Sequence, residues 1–136
     1  MGAIAGLWCT DGRPASASLD RMLAALQPYG PDGAGRWAQD DVALGHRVMH
    51  LFPEDESDCQ PLIGGGGRFV MVADARLDDR EGLAEALGHP SPDPSIGDSH
   101  WVLRAFERWG EDCLGRLYGD YAFAVWDRER RRWLLA

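Results

Sequence analysis

The sequence predicts an α+β domain, and three observations predict it. Apolar runs of strand length, Ala3 to Cys9, Phe69 to Ala73 and Tyr121 to Trp126, are bounded by turn residues. Leu19, Met22, Leu23 and Leu26, and again Trp101, Val102, Ala105, Phe106 and Trp109, recur at intervals of three and four, the period of a helix with one packed face. The 136 residues are 45% hydrophobic and 26% charged, which excludes disordered, collagen-like and coiled-coil chains. A chain of this length supports one core, burying roughly two-thirds of its unfolded surface.

The chain enters a sheet almost at its first residue, through Ala3, Ile4, Ala5, Leu7 and Trp8. Ser18 stands where an N-cap would precede the first helix, and Pro28 and Gly30 end it. Arg36-Trp37-Ala38 and Val42-Ala43-Leu44 read as a hairpin within 33–51, turning at Asp40-Asp41. Pro53 to Asp58 is an acidic loop, and the four glycines 64–67 form a turn before Phe69 to Ala73, a strand apolar on both faces. Asp79 caps a short helix from Arg80 to Leu87 that Gly88 stops. Pro90, Pro92 and Pro94 hold a loop, Asp98 caps the second long helix, and Gly110 ends it. Tyr121 to Trp126 and Trp133 to Leu135 form a hairpin around the charged run Asp127 to Arg132.

Fourteen Lys and Arg against twenty-two Asp and Glu give a net charge of −8, which repels phosphate backbones and anionic lipid and argues against nucleic acid and membrane as partners. No stretch reaches the ~18 apolar residues of a membrane span, and no basic segment precedes the first apolar run. Cys9, Cys59 and Cys113 are odd in number and widely separated, so a disulfide framework or zinc ribbon is not expected, and a reducing cytoplasm is. The last strand runs to Ala136 without a cap or polar tail, as though these residues were the front of a longer chain.

Read residue by residue, the chemistry is sparse. The glycine run lacks a following Lys-Ser/Thr and leads into a strand, so it is a turn and not a phosphate loop. His46 and His50 have no acidic or thiol partner at ligand spacing and read as structural. Cys9 has no adjacent base that would generate a thiolate and reads as a packing residue. Asp74, Asp78 and Asp79 cluster after the central strand, where a turn and a helix cap account for them.

Taken in order, the pieces point further. Met1-Gly2-Ala3-Ile4-Ala5-Gly6, Gly30-Pro31-Asp32-Gly33, Leu44-Gly45-His46-Arg47, Gln60-Pro61-Leu62, Trp109-Gly110-Glu111-Asp112 and Tyr118-Gly119-Asp120-Tyr121-Ala122-Phe123-Ala124-Val125-Trp126-Asp127 follow one another along the whole chain. Together they resemble the N-terminal glutaminase domain of asparagine synthetase, a class II glutamine amidotransferase. The resemblance implies the N-terminal-nucleophile hydrolase fold, a four-layer αββα sandwich. It also implies that residues 1–136 are one glutaminase-like domain ahead of an ATP-pyrophosphatase synthetase domain.

The resemblance departs from the family at the positions that carry its chemistry. The nucleophilic cysteine of the family's Met-Cys-Gly-Ile-Ala-Gly falls on Gly2, which offers no nucleophile. The arginine that holds the substrate carboxylate falls on Val48, and the Asn-Gly that stabilises the oxyanion falls on Asp74-Ala75. Asp98 alone matches, at the aspartate that grips the substrate amine. No catalytic residue is therefore expected, and Asp98, Asp74, Ala75 and Val48 would line a degenerate glutamine pocket. Such losses resemble β-lactam synthetase and the lasso-peptide cyclases, and Asp74-Ala75-Arg76-Leu77-Asp78 looks most like the latter. In that group a C-terminal synthetase domain would activate a carboxylate with ATP and Mg²⁺, and the job of residues 1–136 would then be to cover that domain and shape a surface for a precursor peptide. The alternatives are a binding module that reuses the pocket for a peptide or partner, and a glutamine-dependent asparagine synthetase with an altered N-terminus.

Overall fold

The computed structural model describes residues 2–89, 91 and 93–136. The loop expected at Pro90 and Pro92 falls outside these, while Pro94 lies in a turn. The first sheet holds β1 (Gly2–Trp8), β2 (Gly33–Gln39) and β3 (Val42–Val48) in the order β1-β3-β2, antiparallel throughout. The second holds β4 (Leu62–Gly64), β5 (Phe69–Leu77), β6 (Gly119–Asp127) and β7 (Arg132–Leu135) in chain order. Helix α1 (Ser16–Ala25) lies on the first sheet; α2 (Arg80–Ala86) and α3 (Asp98–Trp109) lie on the second.

Strand alternation builds the layers. Along β5, Val70 and Val72 turn toward the first sheet and meet Val42, Leu44, Ala124 and Trp126, whereas Met71, Ala73 and Leu77 turn toward Leu83, Trp101, Val102 and Ala105 of the helices. On the far side Leu19 and Leu23 of α1 pack on Ala5 and Ala43. The order is helix, sheet, sheet, helix, the αββα sandwich expected. Gly45 lets α1 approach β3, since a Cβ there would stand 2.9 Å from Leu23.

Several element ends differ from those expected. Helix α1 starts two residues before Ser18, after Ala15, whose buried amide donates to Asp40 O at 3.0 Å. That tertiary bond sets the start, and the Ser18 hydroxyl instead accepts from Arg21. Asp98 is the first residue of α3 and not its cap; Gly97 takes the cap position, because the Asp98 carboxylate turns back toward β5. Asp79 does cap α2, accepting from Gly82 N at 2.9 Å. Strand β5 runs four residues past Ala73, paired with β6 from Phe69↔Asp127 to Leu77↔Gly119, so Asp74 lies inside the strand and not in a cluster after it. The short β4 was not legible in the sequence, and the acidic 53–58 segment coils into a single 3₁₀ turn over Pro53–Ser57.

Candidate functional site

Gly2 opens β1 opposite Val48 of β3. Its φ of +156° is one that L side chains rarely adopt, and a Cβ there would stand 1.8 Å from Arg47 O. Its amide donates to Asp74 Oδ1 at 3.1 Å, so a carboxylate of the second sheet ties down the first strand of the first sheet. Alternation puts His46 and Val48 on the same inter-sheet side of β3 as Val42 and Leu44. Arg47 faces the opposite way, where its Nε donates to Leu23 O of α1 at 2.7 Å.

A separate cleft of about 240 Å³ opens on the helix side of β5. Ala73 and Ala75 form its floor, Asp98 and Ser99 of α3 one wall, and Phe52, Asp55 and Asp58 the other. Asp98 is 7% exposed and its oxygens are engaged: Oδ2 accepts from Leu77 N at 2.9 Å and Oδ1 from Arg80 Nε at 2.5 Å. Asp58 accepts from Ser99 Oγ at 2.6 Å and from Gln60 Nε2 at 2.9 Å. Gln60 is buried and its amide takes both main-chain groups of Ala73, accepting from N at 2.6 Å and donating to O at 2.9 Å. It thereby serves as a strand partner for β5 beyond the end of β4.

Of the four pocket positions expected, Asp98 and Ala75 lie at this cleft, while Asp74 and Val48 lie on inter-sheet faces. Sequence reasoning missed Arg80, Asp58, Ser99 and the clamp by Gln60. Arg80 carried a signal only as the first residue after a helix cap. A side chain reaching from one helix to the start of another has no local signature.

His46 is 1% exposed, and among the described residues neither ring nitrogen has a hydrogen-bond partner. Burial holds its pKa below the ordinary value, against the opposing pull of Asp58, Asp74 and Asp55. His50 is exposed. Cys9 is half-buried and packs at the edge of the α1 cluster, and Cys59 is exposed. The Cys113 thiol is pushed up to about 11 by burial, with Asp112 adding to it, which leaves it an inert core group. Among the described residues no group of three or more His, Cys, Asp or Glu is arranged to hold a metal ion. No helix among them is long and apolar enough to cross a membrane.

Two face-to-face sheets between helices, with the chain's opening strand tied to the second sheet through Asp74, make an αββα sandwich. The chain matches the glutamine amidotransferase domain family over residues 1–136 and belongs to it. A glutamine-hydrolysing asparagine synthetase 3 of Bacillus subtilis is 31% identical over 118 residues, covering 83% of this chain and 19% of that protein. An amidase, chry2, of Gibberella zeae is 27% identical over 128 residues, covering 93% of this chain and 19% of its own length. The chain thus spans about a fifth of the length of the curated relatives it matches. Among solved structures, the glutamine phosphoribosylpyrophosphate amidotransferase of Bacillus subtilis, complexed with ADP and GMP, superposes with a TM-score of 0.70 at 19% identity. That match covers 92% of this chain and 35% of the other, and it establishes the N-terminal-nucleophile hydrolase fold.

Proposed function

We propose that this domain hydrolyses no glutamine and serves as the front domain of an asparagine synthetase-like, ATP-dependent amide ligase of the lasso-peptide cyclase kind. The observation that carries the reading is Gly2. It has no thiol or hydroxyl, its backbone leaves no room for a Cβ beside Arg47 O, and its amide is bound to Asp74. Asp74 is a carboxylate where the family resemblance calls for a donor, and an anion there opposes the negative charge of a tetrahedral intermediate. Val48 offers nothing to a substrate carboxylate.

Asp98, the one position that matches, is engaged from within by Arg80 and Leu77 N, so an incoming amine would have to displace a guanidinium. This favours a covering role against a synthetase domain over capture of an amino acid. ATP and Mg²⁺ would be bound by that further domain, where ATP supplies the activation of a carboxylate; the residues of this chain contribute packing and surface. Glutamate release from glutamine by the purified protein tests the reading. No release above blank is expected, and turnover that Cys9→Ala abolishes would overturn it.

A further inference from the structure

The two sheets are unequal, three strands against four. Strand β1 closes the first sheet over β5 and β6, with Ile4 packed against Ala124 and Trp133, and among the described residues no strand stands beyond it to face the rest of β7. Trp133 and Leu135 alternate with Leu134, which turns to the helices, so both point to the inter-sheet side. The Trp133 ring reaches β1 at Gly6, where a Cβ would stand 3.0 Å from it, whereas Leu135 is 71% exposed. Between the two edge strands runs a groove of about 330 Å³, walled by residues 4–7 of β1 on one side and by Ala124, Trp133 and Leu135 on the other. None of these residues is charged.

Natural sheets blunt their edge strands by shortness, charge, proline or a bulge. Strand β4 has three residues, β7 has four with Arg132 at its start, and β2 carries Arg36. Strand β1 has none of these devices. Its seven residues hold no charge and no proline, and their register with β3 is unbroken from Gly2↔Val48 to Trp8↔Val42. Among the described residues it pairs with β3 alone, so along its other edge main-chain donors and acceptors have no strand to take them. Such an edge suits an added strand, and the groove beside it suits one whose alternate side chains are apolar.

We propose that β1 is an inner strand of the longer chain: a strand from beyond Ala136 pairs with its open edge, lies opposite β7 and covers Trp133 and Leu135. This rests on the reading of residues 1–136 as the front of a longer protein, in keeping with relatives about five times as long. Connection favours the same chain over a second copy. Leu135 forms one wall of the groove, and Ala136 still pairs with Phe123, donating to its O at 3.1 Å and accepting from its N at 2.8 Å. A tethered strand has only the sheet spacing of about 10 Å to cross, about three extended residues. A second copy has to offset its lost translational and rotational freedom.

Residue-resolved amide hydrogen exchange on the full-length chain tests this. In an open antiparallel edge strand, amides bonded to the neighbour alternate with amides facing out, and the two sets exchange at very different rates. In the full-length chain the outward amides of β1 are expected to be protected to within about tenfold of the inward ones. Leu135→Asp places a charge under the added strand and should speed the outward amides about tenfold; in a groove that stays open to solvent it would change nothing. A benzophenone side chain installed at position 135 should cross-link on irradiation to a later segment of the same chain, in a product of monomer mass. Alternating protection along β1, no response to Leu135→Asp, or a cross-linked product of dimer mass would each overturn the inference. A reading frame that stops at Ala136 would remove the proposed function together with it, while a longer chain with an open β1 edge overturns this inference alone.

Discussion

The Arg131 guanidinium grips both oxygens of Asp41, at 3.0 and 2.8 Å, and so joins the turn between β6 and β7 to the turn between β2 and β3. Trp8 adds a second donor to the same carboxylate at 3.0 Å, and Arg131 lies over the Trp8 and Trp126 rings at 5.4 and 5.7 Å. These contacts tie the two sheets together at the end of the sandwich away from Gly2. The Arg131 bond, with help from Trp8, holds the Asp41 carboxyl below its ordinary range. Arg131→Ala is expected to lower the melting temperature by a few degrees, since it removes the bonds to Asp41 and the stacking over Trp8 and Trp126. Thermal unfolding followed by tryptophan fluorescence checks it, and an unchanged melt would show the tie to be idle.

A second tie acts on acid stability. Arg68 forks onto Asp127 at 3.0 and 2.6 Å, and the Glu129 and Arg130 amides donate to the same carboxylate, each at 3.1 Å. The carboxyl is held at about 2, the Arg68 bond being the largest cause. Because the folded value lies below the unfolded one, the stabilisation is complete above about pH 4 and is lost as pH falls toward 2. Asp127→Asn should cost on the order of 2 kcal/mol at neutral pH and flatten that acid limb. Urea unfolding between about pH 2 and pH 7 measures both effects.

Gln60 is the side chain on which the end of β5 depends. Gln60→Leu would leave Ala73 N and O buried without their partners and take a donor from Asp58. A loss of about 2–4 kcal/mol is expected from two such groups. Denaturant unfolding at neutral pH gives the number, and a cost under ~0.5 kcal/mol would mean that the strand end re-pairs elsewhere.

Close packing of α1 makes a similar demand at Gly45. A methyl group there meets both Leu23 methyls at 2.9 Å and Leu19 at 3.1 Å. Gly45→Ala is expected to destabilise by about 1–3 kcal/mol through overpacking, and Leu23→Ala in the same chain should recover part of that loss. A double-mutant cycle reads the coupling.

Restoring the thiol alone should not restore chemistry. On the proposed reading, Gly2→Cys adds a thiol whose Cβ meets Arg47 O, at a site where Val48 would anchor no carboxylate and Asp74 would oppose an oxyanion, so glutamate release should stay at the blank. Turnover in that single variant would show that the remaining site is intact.

The strands and helices were legible wherever periodicity was strong. The stripe from Trp101 to Trp109 and the two-faced apolar run from Val70 to Ala73 appear where expected, because each buries its side chains against whole layers. The extension of β5 through Asp74 and Arg76 was hidden, since a polar strand end looks like a loop until Gly2 and β6 are found to occupy its partners. Asp98 stood out in the sequence, but its role as a cap did not hold. The competing partners, Arg80 and the Leu77 amide, lie 18 and 21 residues away along the chain.

What the sequence by itself determined is the set of elements, the family order of motifs and a glycine at position 2, for these rest on local spacing and on the plain fact that glycine has no side chain. Only the tertiary structure decided which groups meet. It parted Asp74 from the cleft of Asp98 by putting consecutive β5 residues on opposite faces, engaged Asp98 with Arg80, and buried His46 on an inter-sheet face with no partner for its ring among the described residues. Those pairings join residues far apart in the chain, and strand register and helix docking, not local propensity, bring them together.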